Sequence, residues 1–136
     1  MVCTYCGSKT HIVNSRHQKR ANNVWRRRAC RTCGALFTTI EQVDYEKSWV
    51  VQYPDGRSEP FIRDKLLISL HKSLQHRPAA LTDSLALTAT VMAALGGIIH
   101  HGTVTDTAIA TLVHQTLQRF DSAAATMYGA YHTTSL

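Results

Sequence analysis

Cys3, Cys6, Cys30 and Cys33 are the residues whose spacing most directly suggests chemistry. They form two C-x2-C pairs with 23 residues between them, and each pair runs into a glycine, as CTYCG and CRTCG. Two residues between thiolates let a tight turn aim both sulfurs at one ion, and the glycine lets that turn close with φ > 0. Two such knuckles supply the four thiolates of a tetrahedral structural zinc site, and one zinc per chain is the expectation. A redox dithiol would need a pair beside a βαβ pattern, which surrounds neither pair. Disulfides would need an oxidising compartment, and no signal-peptide pattern stands before Cys3, so a reducing, cytoplasmic setting is expected. Iron suits the same knuckles, so spacing alone leaves the metal open. His11 reads as a solvent-facing loop residue rather than a replacement ligand.

The charge around these cysteines is the second signal. Residues 1–45 hold eight Lys or Arg against two acids, whereas residues 46–136 hold seven of each sign. The whole net charge of +6 therefore lies in the first third of the chain. Such segregation predicts two modules, 1–45 and 46–136, with different partners. The first has too little apolar material to fold unaided, and metal binding would offset that. Short runs such as THIV and VWRRR, separated by RANN, predict a β-hairpin, with a further strand over Ala35 to Asp44. On alternating strand faces Arg26 and Arg28 share a side, Arg27 points away, and Arg16 is placed with Arg26 and Arg28. A rigid cationic ribbon suits a nucleic-acid backbone, so Arg16, Arg26, Arg27 and Arg28 are the candidate DNA contacts. Trp25 is read as cover for a small core.

The elements of the second module are less eventful. The run Trp49-Val50-Val51, the turn Pro54-Asp55-Gly56 and a return to Phe61 predict a hairpin. Leu66, Leu67, Leu70 and Leu74 predict a helix that ends before Pro78. A second helix is expected from Thr82 as N-cap, weakened at Gly96-Gly97 and stopped by Gly102. A third is capped by Thr105, with Ile109, Leu112, Val113, Leu117 and Phe120 on one face, and a short fourth begins at Asp121. The fold class is thus α+β: a small β ribbon, then a hairpin with about four helices. No segment approaches the roughly 18 apolar residues of a membrane span, so no membrane partner is expected. No Ser/His/Asp set or paired carboxylates stand out, and no enzyme is expected.

The string CTYCG…IVNSR…WRRRACRTCGALFTTIE, followed by VVQYPDGRSEPFIRDKL and RP, resembles the NrdR family of bacterial transcriptional repressors. The resemblance implies an N-terminal zinc ribbon joined to an ATP-cone, a small nucleotide-binding regulatory domain. It also implies double-stranded operator DNA as partner, repression of ribonucleotide reductase genes, and ATP or dATP, with Mg2+, as regulatory ligands. A homo-oligomer whose state depends on nucleotide follows from it too, as does a place at the nucleoid when bound to DNA. Cone motifs match at Val51, Pro60-Phe61 and Lys65; the position that usually holds a phosphate-binding lysine is Gln52 here, and the hairpin is one residue longer. Arg57 is the candidate substitute for that lysine. Tyr131 matches a family tyrosine near the nucleotide, whereas Tyr128 does not. An RNA-binding ribbon without repressor function is the rival reading, and a fragment of a reductase is a further one.

Overall fold

The computed structural model describes residues 1–132. The chain divides into two compact units, Met1–Val43 and the residues from Asp44 on. The first is a three-stranded antiparallel sheet in the order β1 (Thr10–Gln18), β2 (Asn23–Cys30), β3 (Leu36–Gln42). The β1–β2 turn closes with Asn22 at φ 47°, a left-handed position that asparagine tolerates better than most residues.

The register carries one irregularity that matters. Thr10 faces Cys30 and Ile12 faces Arg28, but a bulge between Ile12 and Asn14 shifts the pairing, so that Asn14 faces Arg27 and Arg16 faces Trp25. A one-residue slip moves every later side chain to the other face. Arg16 therefore lies on the side of Arg27 and Trp25, not on the side of Arg26 and Arg28, which corrects the expectation from strict alternation. The ribbon also lacks the core expected beneath Trp25. Within Met1–Val43 only Cys3 and Cys30 are buried, Trp25 is half-buried, and Ile12, Val13, Leu36 and Ile40 are exposed.

The second unit is built the opposite way, around an apolar core. A short helix α1 (Tyr45–Ser48), not expected from the sequence, is capped by Asp44, whose side chain accepts from the Lys47 amide. The strand β4 (Val50–Gln52) is central, pairing antiparallel with β5 (Ser58–Pro60) and parallel with β6 (Thr103–Thr105). Pro60 is tolerated because β5 is an edge strand. Gly102 leads into β6 with φ 73°, and a Cβ there would stand 2.7 Å from the Ser48 carbonyl oxygen, so only glycine fits.

Four longer helices complete the unit: α2 (Arg63–Ser73), α3 (Ala80–Ile98), α4 (Asp106–Phe120) and α5 (Ser122–Tyr131). Leu66, Leu70 and Leu74 meet Val91, Leu95, Val113, Leu117 and the β4–β6 residues Val51 and Val104 in one cluster. Two boundaries differ from expectation. The helix α3 starts before Thr82, with Ala79 at its N-cap and no side-chain cap, and it runs through Gly96-Gly97 to Ile98. Phe120 is exposed rather than buried, its ring lying 4.6 Å under the Arg77 guanidinium. By length and composition α3 is apolar enough to cross a membrane, contrary to the sequence expectation; its Ser84, Leu87, Thr88, Val91, Met92 and Leu95 are buried in the core.

Asp121 ties the connections together. It caps α5 by accepting from the Ala124 amide at 3.0 Å, and its other oxygen receives His76 Nε2 at 3.0 Å and Arg77 Nη1 at 2.9 Å. The Ala124 amide first, then His76 and Arg77, hold its carboxyl well below the usual carboxylate range. Because the folded value is depressed, this stabilisation is complete above the unfolded carboxylate value of about 4 and is lost as pH falls below it. Asp121→Ala should lower the melting temperature of the helical unit by about 5 °C at neutral pH, from the lost cap alone. The gap between variant and wild type should narrow in thermal scans taken progressively below pH 4. A constant gap across that range would contradict the assignment.

Candidate metal centre and nucleic-acid interface

Both knuckles fold by the same backbone pattern. The Cys3 amide donates to the Ser8 carbonyl at 2.8 Å and the Gly7 amide to the Cys3 carbonyl at 3.0 Å. In the second knuckle the Cys30 amide donates to Ala35 at 2.9 Å and the Gly34 amide to Cys30 at 3.0 Å. Gly7 and Gly34 sit at φ 71° and 72°, the left-handed conformation that the sequence reading required of them.

The result is a cluster in which all four sulfurs lie within 4.8 Å of one another. Cys3 Sγ and Cys33 Sγ are 3.7 Å apart, and Cys6 Sγ and Cys30 Sγ 3.5 Å. A disulfide would bring a pair to about 2.05 Å, whereas sulfurs bound at about 2.3 Å to one tetrahedral ion stand about 3.8 Å apart. The donor set therefore fits one zinc ion, held by all four cysteines. Electrostatics agree. Cys6 is lowered to about 6, chiefly by the hydroxyl and amide of Ser8. At Cys33 the Ala35 amide favours the thiolate, but Cys6, partial desolvation and the other thiols outweigh it and push the group up to about 12. Four crowded sulfurs resist carrying four negative charges unless a cation sits among them.

The arginines divide between the two faces of the sheet. Arg26 donates from Nη2 and Nε to Glu41 Oε2 at 2.8 and 3.2 Å, and from Nη1 to Ser15 Oγ at 3.3 Å. Arg28 reaches Thr39 Oγ1 at 3.3 Å and Thr10 Oγ1 at 3.5 Å. These two guanidiniums are side by side and already oriented. On the opposite face Arg27 is exposed between Asn14 and Thr38, and Arg16 lies over the Trp25 ring at 6.0 Å. Leu36 and Ile40 are exposed on that same face. Sequence reasoning missed Glu41, Ser15 and Thr39 as orienting groups; the even spacing of Thr39 and Glu41 along FTTIE was the available signal.

The residues expected to meet a nucleotide are only partly together. A cavity of about 250 Å3 in the second unit is lined by Val51, Glu59, Phe61, Lys65, Asp106 and Tyr128, among others. Gln52, Arg57 and Tyr131 are not in its lining. Arg57 instead pairs with Asp55 at 2.6 Å and lies 4.8 Å over the Tyr53 ring. Tyr131 is 78% exposed, while Tyr128 is buried and stacks on His132 at 4.1 Å between ring centres. The inward face of α5 runs through Ala124, Ala125 and Tyr128, and its helical repeat places His132, not Tyr131, against the pocket.

The absence of a core in the ribbon gives a direct expectation for metal removal. Structural zinc contributes on the order of 10 kcal/mol in small domains, more than such a sheet has from other sources. Chelation should collapse the amide resonances of residues 1–43 toward random-coil positions in a 1H–15N spectrum, while those of α2 to α5 stay in place. Retained dispersion in the ribbon after metal removal would contradict it.

Comparison with known proteins adds a family to this geometry. Residues 1–41 match the family model described as "Transcriptional repressor NrdR-like, N-terminal domain". The chain is 44% identical over 78 residues to the transcriptional repressor NrdR of Symbiobacterium thermophilum, covering 57% of this chain and 51% of that protein. It is 41% identical over 83 residues to the protein of the same name from Acidobacterium capsulatum, covering 60% and 49%. With that of Streptococcus suis it shares 39% over 84 residues, covering 61% and 51%. The chain thus spans about half the length of the curated relatives it matches, in alignments longer than the ribbon itself. The first 41 residues, with four cysteines placed to hold one zinc ion, thus match the N-terminal zinc-ribbon domain of NrdR-like repressors.

Proposed function

We propose that the protein is a nucleotide-responsive transcriptional repressor of ribonucleotide reductase genes. The observation that carries the reading is the coincidence, within residues 1–41, of the NrdR-like match, the four-thiolate cluster and the arginines that the ribbon displays. The ribbon binds operator DNA, and the two faces divide the work. Arg26 and Arg28, oriented by Glu41, Ser15, Thr39 and Thr10, are preorganised to read base edges, since a guanidinium held in place loses less freedom on binding. Arg27 and Arg16 supply phosphate contact, with Trp25 beside them. Several arginines from one small ribbon reach DNA more effectively when ribbons are presented in pairs, which is where association of subunits enters.

The second unit is the sensor in this reading, taking ATP or dATP with Mg2+ in the cavity beside β4. The support is the arrangement of hairpin and helices, and the presence of Val51 and Lys65 in the lining. A nucleotide alters repression only if it binds two states of association unequally. The protein would act in the bacterial cytoplasm, at the nucleoid.

The test is selection of sheared genomic DNA from the source organism on the purified protein, without nucleotide and with ATP or dATP. Fragments upstream of ribonucleotide reductase genes should be enriched, to a degree that depends on which nucleotide is present. On a selected duplex, Arg28→Ala should weaken binding by about tenfold or more and relax sequence preference. Arg27→Ala should weaken selected and scrambled duplexes alike and reduce the slope of log K against log salt by about one. Equal affinity for a structured RNA and the selected duplex would favour the RNA-binding alternative.

A further inference from the structure

The cavity of the second unit contains one lysine, and that lysine is already engaged. Lys65 Nζ lies 3.1 Å from Glu59 Oε1, on the strand β5 that faces it. The same carboxylate oxygen accepts the Tyr53 hydroxyl at 2.5 Å. These contacts, the Tyr53 hydroxyl first and Lys65 second, hold the Glu59 carboxyl below its usual range, and the Tyr53 phenol is pushed up to about 12 chiefly by its bond to Glu59. The cavity's lining contributes two carboxylates, Glu59 and Asp106, against the single cation of Lys65. The other nearby cation, Arg57, is taken by Asp55. The cavity is thus poorly matched, as it stands, to a polyanion.

We propose that Glu59 is an internal competitor for Lys65: it occupies the ammonium group in the unliganded protein, and a phosphate chain binds by taking its place. This rests on the nucleotide reading of the cavity and adds to it the residue that sets the strength of the response. The exchange is one anion for another on one ammonium group, so Lys65 stays charged and paired in both states. What changes is the position of Glu59, which either keeps only Tyr53 or turns outward to water. The competition weakens phosphate binding selectively, because a ligand without phosphates has no need of Lys65. Ligand hydroxyl or amino groups, by contrast, find an acceptor in Asp106 and do not depend on Lys65, so the nucleoside part is not subject to the same penalty.

The experiment is calorimetric titration of the full chain in magnesium-free buffer with inorganic triphosphate, ATP and adenosine. Glu59→Gln keeps the shape and removes the charge, and its melting temperature is recorded as a check of folding. It should raise affinity for triphosphate and for ATP by about tenfold while leaving adenosine within twofold. In a Lys65→Met background Glu59→Gln should give no such gain, whereas a general loss of negative charge would raise affinity there as well. If ATP binds the wild type and Glu59→Gln leaves triphosphate and ATP unchanged or weaker, the competition is overturned and the nucleotide reading stands. If triphosphate gains affinity but ATP binds no better than triphosphate, the competition holds and adenine recognition fails. If none of the three ligands binds either protein, both are overturned.

Discussion

The first unit depends on four sulfur atoms being held together. Its only buried residues are Cys3 and Cys30, Trp25 and Phe37 are no more than half-buried, and Ile12, Val13, Leu36 and Ile40 are exposed. A three-stranded sheet of this kind buries too little to offset the chain entropy lost on folding. The two knuckles close both ends of that deficit, since a metal bound by four thiolates joins the start of the chain to the link between β2 and β3. Everything the ribbon presents, including the orientation of its arginines, is therefore conditional on that centre. Leu36 and Ile40, which a core would otherwise take, are left exposed on the face that carries Arg16 and Arg27.

The second unit inverts each of these features. It is close to electrically neutral, its stability comes from leucine and valine packing between four helices and a small sheet, and its polar groups act as clasps rather than as a display. Asp121 is the clearest case, capping α5 while receiving His76 and Arg77 from the α2–α3 connection. The separation of charge along the sequence is thus also a separation of physical strategy: one part rigid through a metal and cationic, the other rigid through packing and able to contain a cavity.

Much of this was legible in the residues because it is local. The glycines after each C-x2-C pair announce left-handed turns, and Thr105 and Asp121 announce helix starts, each through chemistry confined to a few neighbours. What could not be read depends on distant partners. The bulge between Ile12 and Asn14 carries no local mark, yet it moves Arg16 across the sheet. The strand β6 is three residues long and exists only through parallel pairing with β4, from which some fifty residues separate it. Tyr131 and Tyr128 differ in exposure because the helical repeat turns Tyr128 and His132 toward the pocket and Tyr131 away from it. Lys65 was identifiable as a cavity residue, but its engagement by Glu59 and Tyr53 is a tertiary fact.

The claim on which the rest stands is that one ion joins both knuckles through four thiolates. X-ray absorption at the zinc edge of the purified protein tests it most directly. The account predicts one zinc per chain and a first shell fitted by four sulfur scatterers at about 2.3 Å, with no nitrogen or oxygen contribution. A shell containing imidazole or oxygen, fewer than four sulfurs, or a folded ribbon without bound metal would contradict it.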